Sequence, residues 1–343
     1  MPRVVASRGQ PRHGRRPGTK LPHPLAAKRM EMLSLKSEIL TVRPSLETGR
    51  VRTFVGRYTS QIALAPSVAI ASIFVYGFML WTAYISFSAS GMLPDYHWVG
   101  LRQYYNLWSN PIWVQSAKNI VVFTFLYILL TTVVGLFLAI LLDQKIRAEG
   151  ALRLIYLYPM ALSFVVTGTA WKWILNPGLG MERVLRNWGW EDFRFDWLVN
   201  PRFALYTVVL AGVWQASGFV MALFLAGLRG IDEDLIKAAR LDGAGGPSIY
   251  RRIIIPLLGP TFVTVAVVLV QQALRTFDLV VALTNGGPAN STQVPATFMY
   301  KQTFERSQLG VGAASAVMIF MTILAIVVPY LYTSTRKASD EHA

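Results

Sequence analysis

The segment with the most chemical content is 231–256, which reads IDEDLIKAARLDGAGGPSIYRRIIIP. Its residue types suit docking rather than bond making. Asp232, Glu233 and Asp234 stand where negative charge favours a helix start, and Arg240 stands near the far end. A short helix through Leu241 is therefore predicted, stopped by Gly243, Gly245 and Gly246. Pro247 suits the first turn of a second helix that carries Tyr250, Ile253 and Ile254 into Pro256. On the first helix Leu235, Ala238, Ala239 and Asp242 recur at helical spacing and form a narrow face of small side chains. Small side chains let a helix sit deep in a partner's groove. A connection between bundle helices needs only about 2 to 8 residues, so this longer loop is built to dock.

A second set of polar residues lies inside apolar runs. Gln271, Arg275 and Asp278 recur at i, i+4 and i+7, which predicts one helical face pointing into a bundle. Such groups line a solute path, or Arg275 and Asp278 neutralise each other. Trp214 could stack on the apolar face of a sugar, and Gln215 could bond a sugar hydroxyl or a neighbouring helix. Lys172, near the end of an apolar run, is expected to snorkel to the headgroups. Other chemistries lack their parts. There is no cysteine, and no Gly-Lys pair with which a phosphate-binding loop could be made. The His residues at 13, 23, 97 and 342 have no metal-ligand spacing, so no metal site is expected. Glu191 and Asp192 stand beside Arg194 and read as a solvated surface.

The elements that must position these residues cross lipid. Of 343 residues, 53% are hydrophobic and 15% charged, where soluble domains carry roughly a quarter charged. A lipid-crossing helix needs roughly 20 mostly apolar residues. Six segments qualify, at 62–87, 120–142, 154–175, 204–228, 260–283 and 313–332. The predicted fold class is an all-α integral membrane protein. A basic tail at 1–57 precedes a six-helix domain at 58–335 with its loop at 229–259, and a short tail follows at 336–343. The net charge of +15 concentrates in the first tail, which reads as disordered with a short amphipathic helix over 26–40. No secretory apolar core occurs before Ile62, and Met30 offers an internal start. Lys and Arg beside the spans accumulate on the side of both termini, so both are expected in the cytoplasm. The Trp-rich loops at 98–113 and 188–197 fall on the other side, at headgroup level.

The segment 231–256 also resembles the cytoplasmic loop in membrane subunits of binding-protein-dependent ATP-binding-cassette importers. Their signature is Glu-Ala-Ala, three residues, Gly, nine residues, Ile, any residue, Leu-Pro. Here Lys237, Ala238, Ala239, Gly243, Ile253, Ile255 and Pro256 stand at that spacing. Lys237 reverses the charge of the motif Glu, and with it any ion pair that Glu would make, while Ile255 replaces Leu. The resemblance covers 62–333 and has the flavour of sugar permeases related to the first membrane subunit of the maltose importer. The segments 142–150, 155–177, 213–230, 277–280 and 285–288 look closest to glucose and mannose importers. Extra spans and a large periplasmic insert found in some maltose-type relatives are lacking.

The resemblance implies a type I importer permease, not an enzyme, in a bacterial inner membrane. It implies coupling to an ATPase through Lys237, Ala238, Ala239, Asp242, Gly243, Ile253 and Pro256. The docking contact itself would fall on Ala238, Ala239, Asp242 and Gly243. Implied partners are a second permease in a heterodimer, two copies of an ATPase that binds ATP and Mg, a periplasmic or lipid-anchored sugar-binding protein, and membrane lipid. This chain would hold no cofactor. The rival from another class is an ion-coupled secondary sugar transporter, for which Asp278 is the one intramembrane acid available. A membrane-embedded enzyme would need a clustered nucleophile and base, and none occurs. Nucleic-acid binding by the basic tail lacks interleaved aromatics.

Overall fold

The computed structural model describes residues 48–144 and 147–340. The basic segment before Thr48, with the surface helix expected over 26–40, lies outside the described residues. The chain divides between Ser72 and Ile73 into two compact units. All that is described of the first is the opening of one helix, α1 (Thr48–Ile85), whose Leu64–Ile85 portion is long and apolar enough to cross a membrane. Phe74, Phe78 and Leu80 on that portion are all exposed, as befits a helix apolar all round.

The second unit continues through α2 (Arg102–Trp108), α3 (Pro111–Asp143) and α4 (Glu149–Leu157), the last prolonged by a 3-10 turn over Tyr158–Ala161. Next come α5 (Phe164–Ile174), α6 (Met181–Asn187), α7 (Ala204–Arg229) and α8 (Glu233–Leu241). The chain then forms α9 (Gly246–Leu257), α10 (Gly259–Leu274) and α11 (Phe277–Leu283). It finishes with α12 (Pro295–Tyr300), prolonged by a π turn over Lys301–Glu305, and α13 (Leu309–Asp340). Among the described residues the only β pairing is an isolated bridge between Ser88 and Trp98.

Among the described residues four helices are long and apolar enough to cross lipid, and two bent pairs bring the number to six if each pair is one span. The two bent pairs fall on the third and fifth of the segments expected from the sequence. The third span is broken by 100° between the Tyr158–Ala161 turn and α5. Pro159 has no N–H to give the helix, and the Ser163 hydroxyl caps the new helix by accepting from Val166 N at 3.3 Å. The fifth span bends by 63° between α9 and α10, and it ends at Leu274 rather than Leu283. There the Thr276 hydroxyl donates to Ala273 O at 2.8 Å and competes with the helical ladder, so α11 starts afresh. The second span begins at Pro111, well before Ile120, because Asn110 caps it through Ile112 N at 2.9 Å. The last helix runs to Asp340, past the expected boundary at 335, since no Gly or Pro follows Pro329 to stop it.

The core forms around α7, which is uncharged until Arg229 and rich in Ala and Gly. Val208, Ala211, Val220, Met221 and Phe224 on it are buried completely. Its main partner is α3. Lipid offers no hydrophobic drive between helices, so close van der Waals packing must hold them, and small residues permit it. At Gly135 of α3 an added Cβ would lie 2.8 Å from Val220 Cβ and 3.0 Å from Met221 N.

At the Pro111 end of α3, Asn119 ties the bundle to the 284–294 loop. Its Nδ2 donates to Ser291 O at 2.9 Å and Gln293 O at 2.8 Å, and its Oδ1 accepts from Gln115 Nε2 at 2.9 Å. Four residues of that loop, Asn285, Gly286, Ala289 and Asn290, hold positive φ, so its backbone departs from helical geometry there. Asn119→Ala leaves two carbonyls without donors and should cost about 2 to 3 kcal/mol, at about 1 to 1.5 per bond. Thermal unfolding of the purified protein in detergent checks this.

Candidate coupling loop and solute path

Asp232 caps α8, its Oδ1 accepting from Asp234 N at 2.8 Å with an extended backbone, φ −62° and ψ 123°. The helix ends in a Schellman turn: Gly243 N donates to Arg240 O at 3.1 Å and Ala244 N to Ala239 O at 3.0 Å. That turn puts Gly243 at φ +81°, a left-handed conformation that L side chains rarely adopt, while open space surrounds its α-carbon. Pro247 stands in the first turn of α9, as the sequence predicts. Further on, Pro256 has no N–H and its ring would clash with the carbonyl four residues back. The ladder widens into a π turn over Tyr250–Ile254 just before it.

The faces of α8 differ from the expected small-residue stripe. Ala239 turns inward and, with Ile236 and Ala244, packs against the chain's own core. The free face carries Leu235, Ala238, Leu241 and Asp242, with Leu241 89% exposed. Leu241 escaped the sequence reading, although it lies one turn beyond Ala238 and two beyond Leu235. Lys237 bends back on its own helix, its Nζ 2.9 Å from Asp234 Oδ1 and 3.7 Å from Glu233 Oε2. The Asp234 hydrogen bond, with Glu233 and Asp232 behind it, raises the Lys237 pKa and keeps the ammonium charged. The reversed charge at the motif position is thus matched within α8. Ile253 is half-buried and Pro256 exposed.

The residues proposed along a solute path fall into two places. Gln271 and Arg275 line an open groove of about 440 Å³ between α10 and α13, with Val267, Val270, Ile323 and Ile326. Both side chains are exposed, so this face points away from the chain's own bundle, contrary to the sequence expectation. The neighbouring Gln272 faces the bundle instead and accepts from the Tyr127 hydroxyl at 2.8 Å. Because the helix breaks after Leu274, Asp278 does not continue the Gln271–Arg275 register; it stands exposed in the first turn of α11, where its charge suits a helix start. No ion pair joins Arg275 to Asp278 among the described residues. Trp214 and Gln215 do not line that groove. Gln215 is buried and its Nε2 donates to Leu162 O at 2.8 Å, which serves a carbonyl freed by the 100° bend. Trp214 is 39% exposed and meets Trp171 edge-on at 5.9 Å. Lys172 is exposed in the last turn of α5.

An all-helical bundle of apolar spans with a short capped helix between two of them is the architecture of an importer permease, and comparison with known proteins places the chain in that class. Residues 131–337 match the family described as binding-protein-dependent transport system inner membrane component. A Pyrococcus horikoshii protein named as a probable ABC transporter permease is 41% identical over 79% of this chain and 94% of its own length. The xylose/arabinose import permease of Haloferax volcanii is 39% identical over 77% of this chain and 84% of its own. A solved bacterial ABC transporter that imports the acidic polysaccharide alginate shares the fold with a TM-score of 0.71. It covers 84% of this chain and 99% of the matched chain at 21% identity. The chain belongs to the family of binding-protein-dependent transport system inner membrane components, the permease subunits of ABC importers. It is a transport subunit and not an enzyme.

Proposed function

We propose that this permease carries a sugar across the inner membrane, driven by an ATPase that docks on α8 and the turn after it. The observation that carries the reading is the free face of α8: Leu235, Ala238, Leu241 and Asp242 are presented to solvent on a helix whose opposite face is anchored in the core. An exposed Leu on a firmly capped helix suits insertion into a cleft. The turn at Gly243 ends the helix, and the segment carrying Ile253 and Pro256 leads from it into the fifth span.

The loop end of the bundle then faces the cytoplasm with both termini, in keeping with its excess of Lys and Arg. ATP and Mg belong to two ATPase copies, since this chain has no Gly-Lys pair for phosphates. The exposed Gln271–Arg275 groove needs a second wall, which a second permease supplies in a heterodimer. The sugar would pass along that wall and be delivered from outside by a binding protein. The xylose/arabinose relative favours a monosaccharide, and the resemblances at 155–177 and 213–230 favour glucose or mannose.

Because the chain has no cysteine, docking can be read by single-cysteine cross-linking in the assembled transporter. Ala238→Cys and Leu241→Cys should cross-link to the ATPase, while Ala239→Cys, on the core side of the same helix, should not. Equal labelling of all three positions, or of none, would sink the docking assignment.

A further inference from the structure

Four charged side chains meet at the end of the bundle where the loop begins. Arg229, the last residue of α7, places its Nη2 2.8 Å from Glu149 Oε1 at the start of α4. Its Nε lies 3.8 Å from Asp143 Oδ1 at the end of α3, and Arg153 Nη2 reaches the same Glu149 oxygen at 3.1 Å. These groups are 30 to 44% exposed, so any one pair contributes little by itself. Their value lies in what they join. Arg229 stands just before Gly230, and Asp232 caps the docking helix.

Farther along α7 the same two helices are pinned again. Gln215 holds Leu162 O at the bend, and Gly218 lets the Tyr156 backbone of α4 lie directly against α7. Arg229 and Gln215 are separated by about 21 Å of helix at 1.5 Å per residue. α4 is therefore fastened to α7 at its loop end by charge and at its bend by an amide, with backbone contact between.

We propose that Arg229 and Glu149 are positioning residues that lock α4 to α7, so that displacement of the docking loop reaches the Leu162 bend through two helices moving as one body. This rests on the reading of α8 as the ATPase-docking helix. α5, beyond the bend, is the element that changes its angle.

Spin labels in the assembled transporter, with partner chains freed of cysteine, test the lock. The pair Ile155→Cys and Ala226→Cys, both at exposed positions, reports the distance between α4 and α7. The pair Val166→Cys and Ala226→Cys reports α5 against α7. On trapping with ATP, Mg and vanadate, the first distance should stay fixed and the second should shift by about 5 Å, the scale of one helical turn. Arg229→Met should broaden the first distribution roughly twofold and abolish the shift in the second while ATP hydrolysis continues; Glu149→Gln should do the same, and the double variant no more than either. Arg229→Lys, which keeps the charge, should preserve both readouts. Movement of the first pair in the unmodified lock, additive effects of the two substitutions, or an Arg229→Met variant that leaves both pairs unchanged would overturn the proposal. Failure of the docking reading shows itself separately, as missing cross-links at Ala238 and Leu241, and the first label pair still judges the lock.

Discussion

Gly218→Ala should leave little folded permease, and Gly218→Val none. A Cβ at 218 would fall on the carbonyl oxygen of Tyr156, with Leu157 N 3.0 Å away. Neither obstacle is a side chain that could turn aside. Both are backbone in α4 and the turn after it, held in place by the Gln215–Leu162 bond and by Arg229. Overpacking a core that can yield costs about 1 to 3 kcal/mol, so here the cost should be on the order of 3 kcal/mol or more. That is a large share of a typical folding free energy. The contrast is Gly150, in the first turn of α4 with open space around it, where Ala should stabilise the helix by less than the interior value of about 1 kcal/mol. Size-exclusion profiles and thermal unfolding of the detergent-solubilised variants measure both. A monodisperse Gly218→Ala protein unfolding at the original temperature would show that α4 and α7 are not in backbone contact.

Gly243 should show the opposite pattern, an intact fold with lost transport. Its left-handed φ costs an L residue about 1 to 2 kcal/mol, and Asn, which tolerates that conformation, less. No atom of this chain stands within 4 Å of a Cβ there, so a bulky side chain meets nothing in the permease itself. The proposed docking of an ATPase would close that space. Gly243→Asn should therefore retain membrane insertion and most ATP-driven uptake. Gly243→Val should retain insertion, because a side chain there meets nothing in the permease, yet lose uptake by about 10-fold or more through strain in the turn and bulk at the proposed docking face. Labelled sugar uptake into proteoliposomes, set against the amount of reconstituted protein, separates the two variants. Equal uptake by both would remove Gly243 from the coupling face and leave it a turn residue only.

Much of the bundle and the start and stop of α8 were legible in the residues. Apolar length, the acids at 232–234, Gly243 and Pro247 are local signals, and local backbone chemistry acts on them whatever surrounds the chain. Sequence periodicity also marked Gln271 and Arg275 as sharing a face, and they do line one groove. What it could not supply was the direction of that face, or where a span would bend. Hydropathy is averaged over about 19 residues and passes over a 3-10 turn at Pro159 or a break at Thr276, since the apolar residues on either side carry the average. For the same reason Asp278 was carried into a register that the break removes.

Which side of each helix is buried is settled only when neighbours take their places. Ala239 turned to the core, where it packs with Ile236 and Ala244, and Leu241 to solvent. Gln215 became a holder of the Leu162 carbonyl because a bend 53 residues earlier in the chain left that oxygen without a donor. Arg229 met Glu149 and Asp143 only once three helices ended together. The sequence by itself determined that these helices form, are apolar enough to cross lipid and carry a capped helix between two of the spans, because each of those properties is local. Tertiary structure alone decided which polar groups hold the bundle together and which are left free, because an acceptor's need is set by whatever backbone it happens to face.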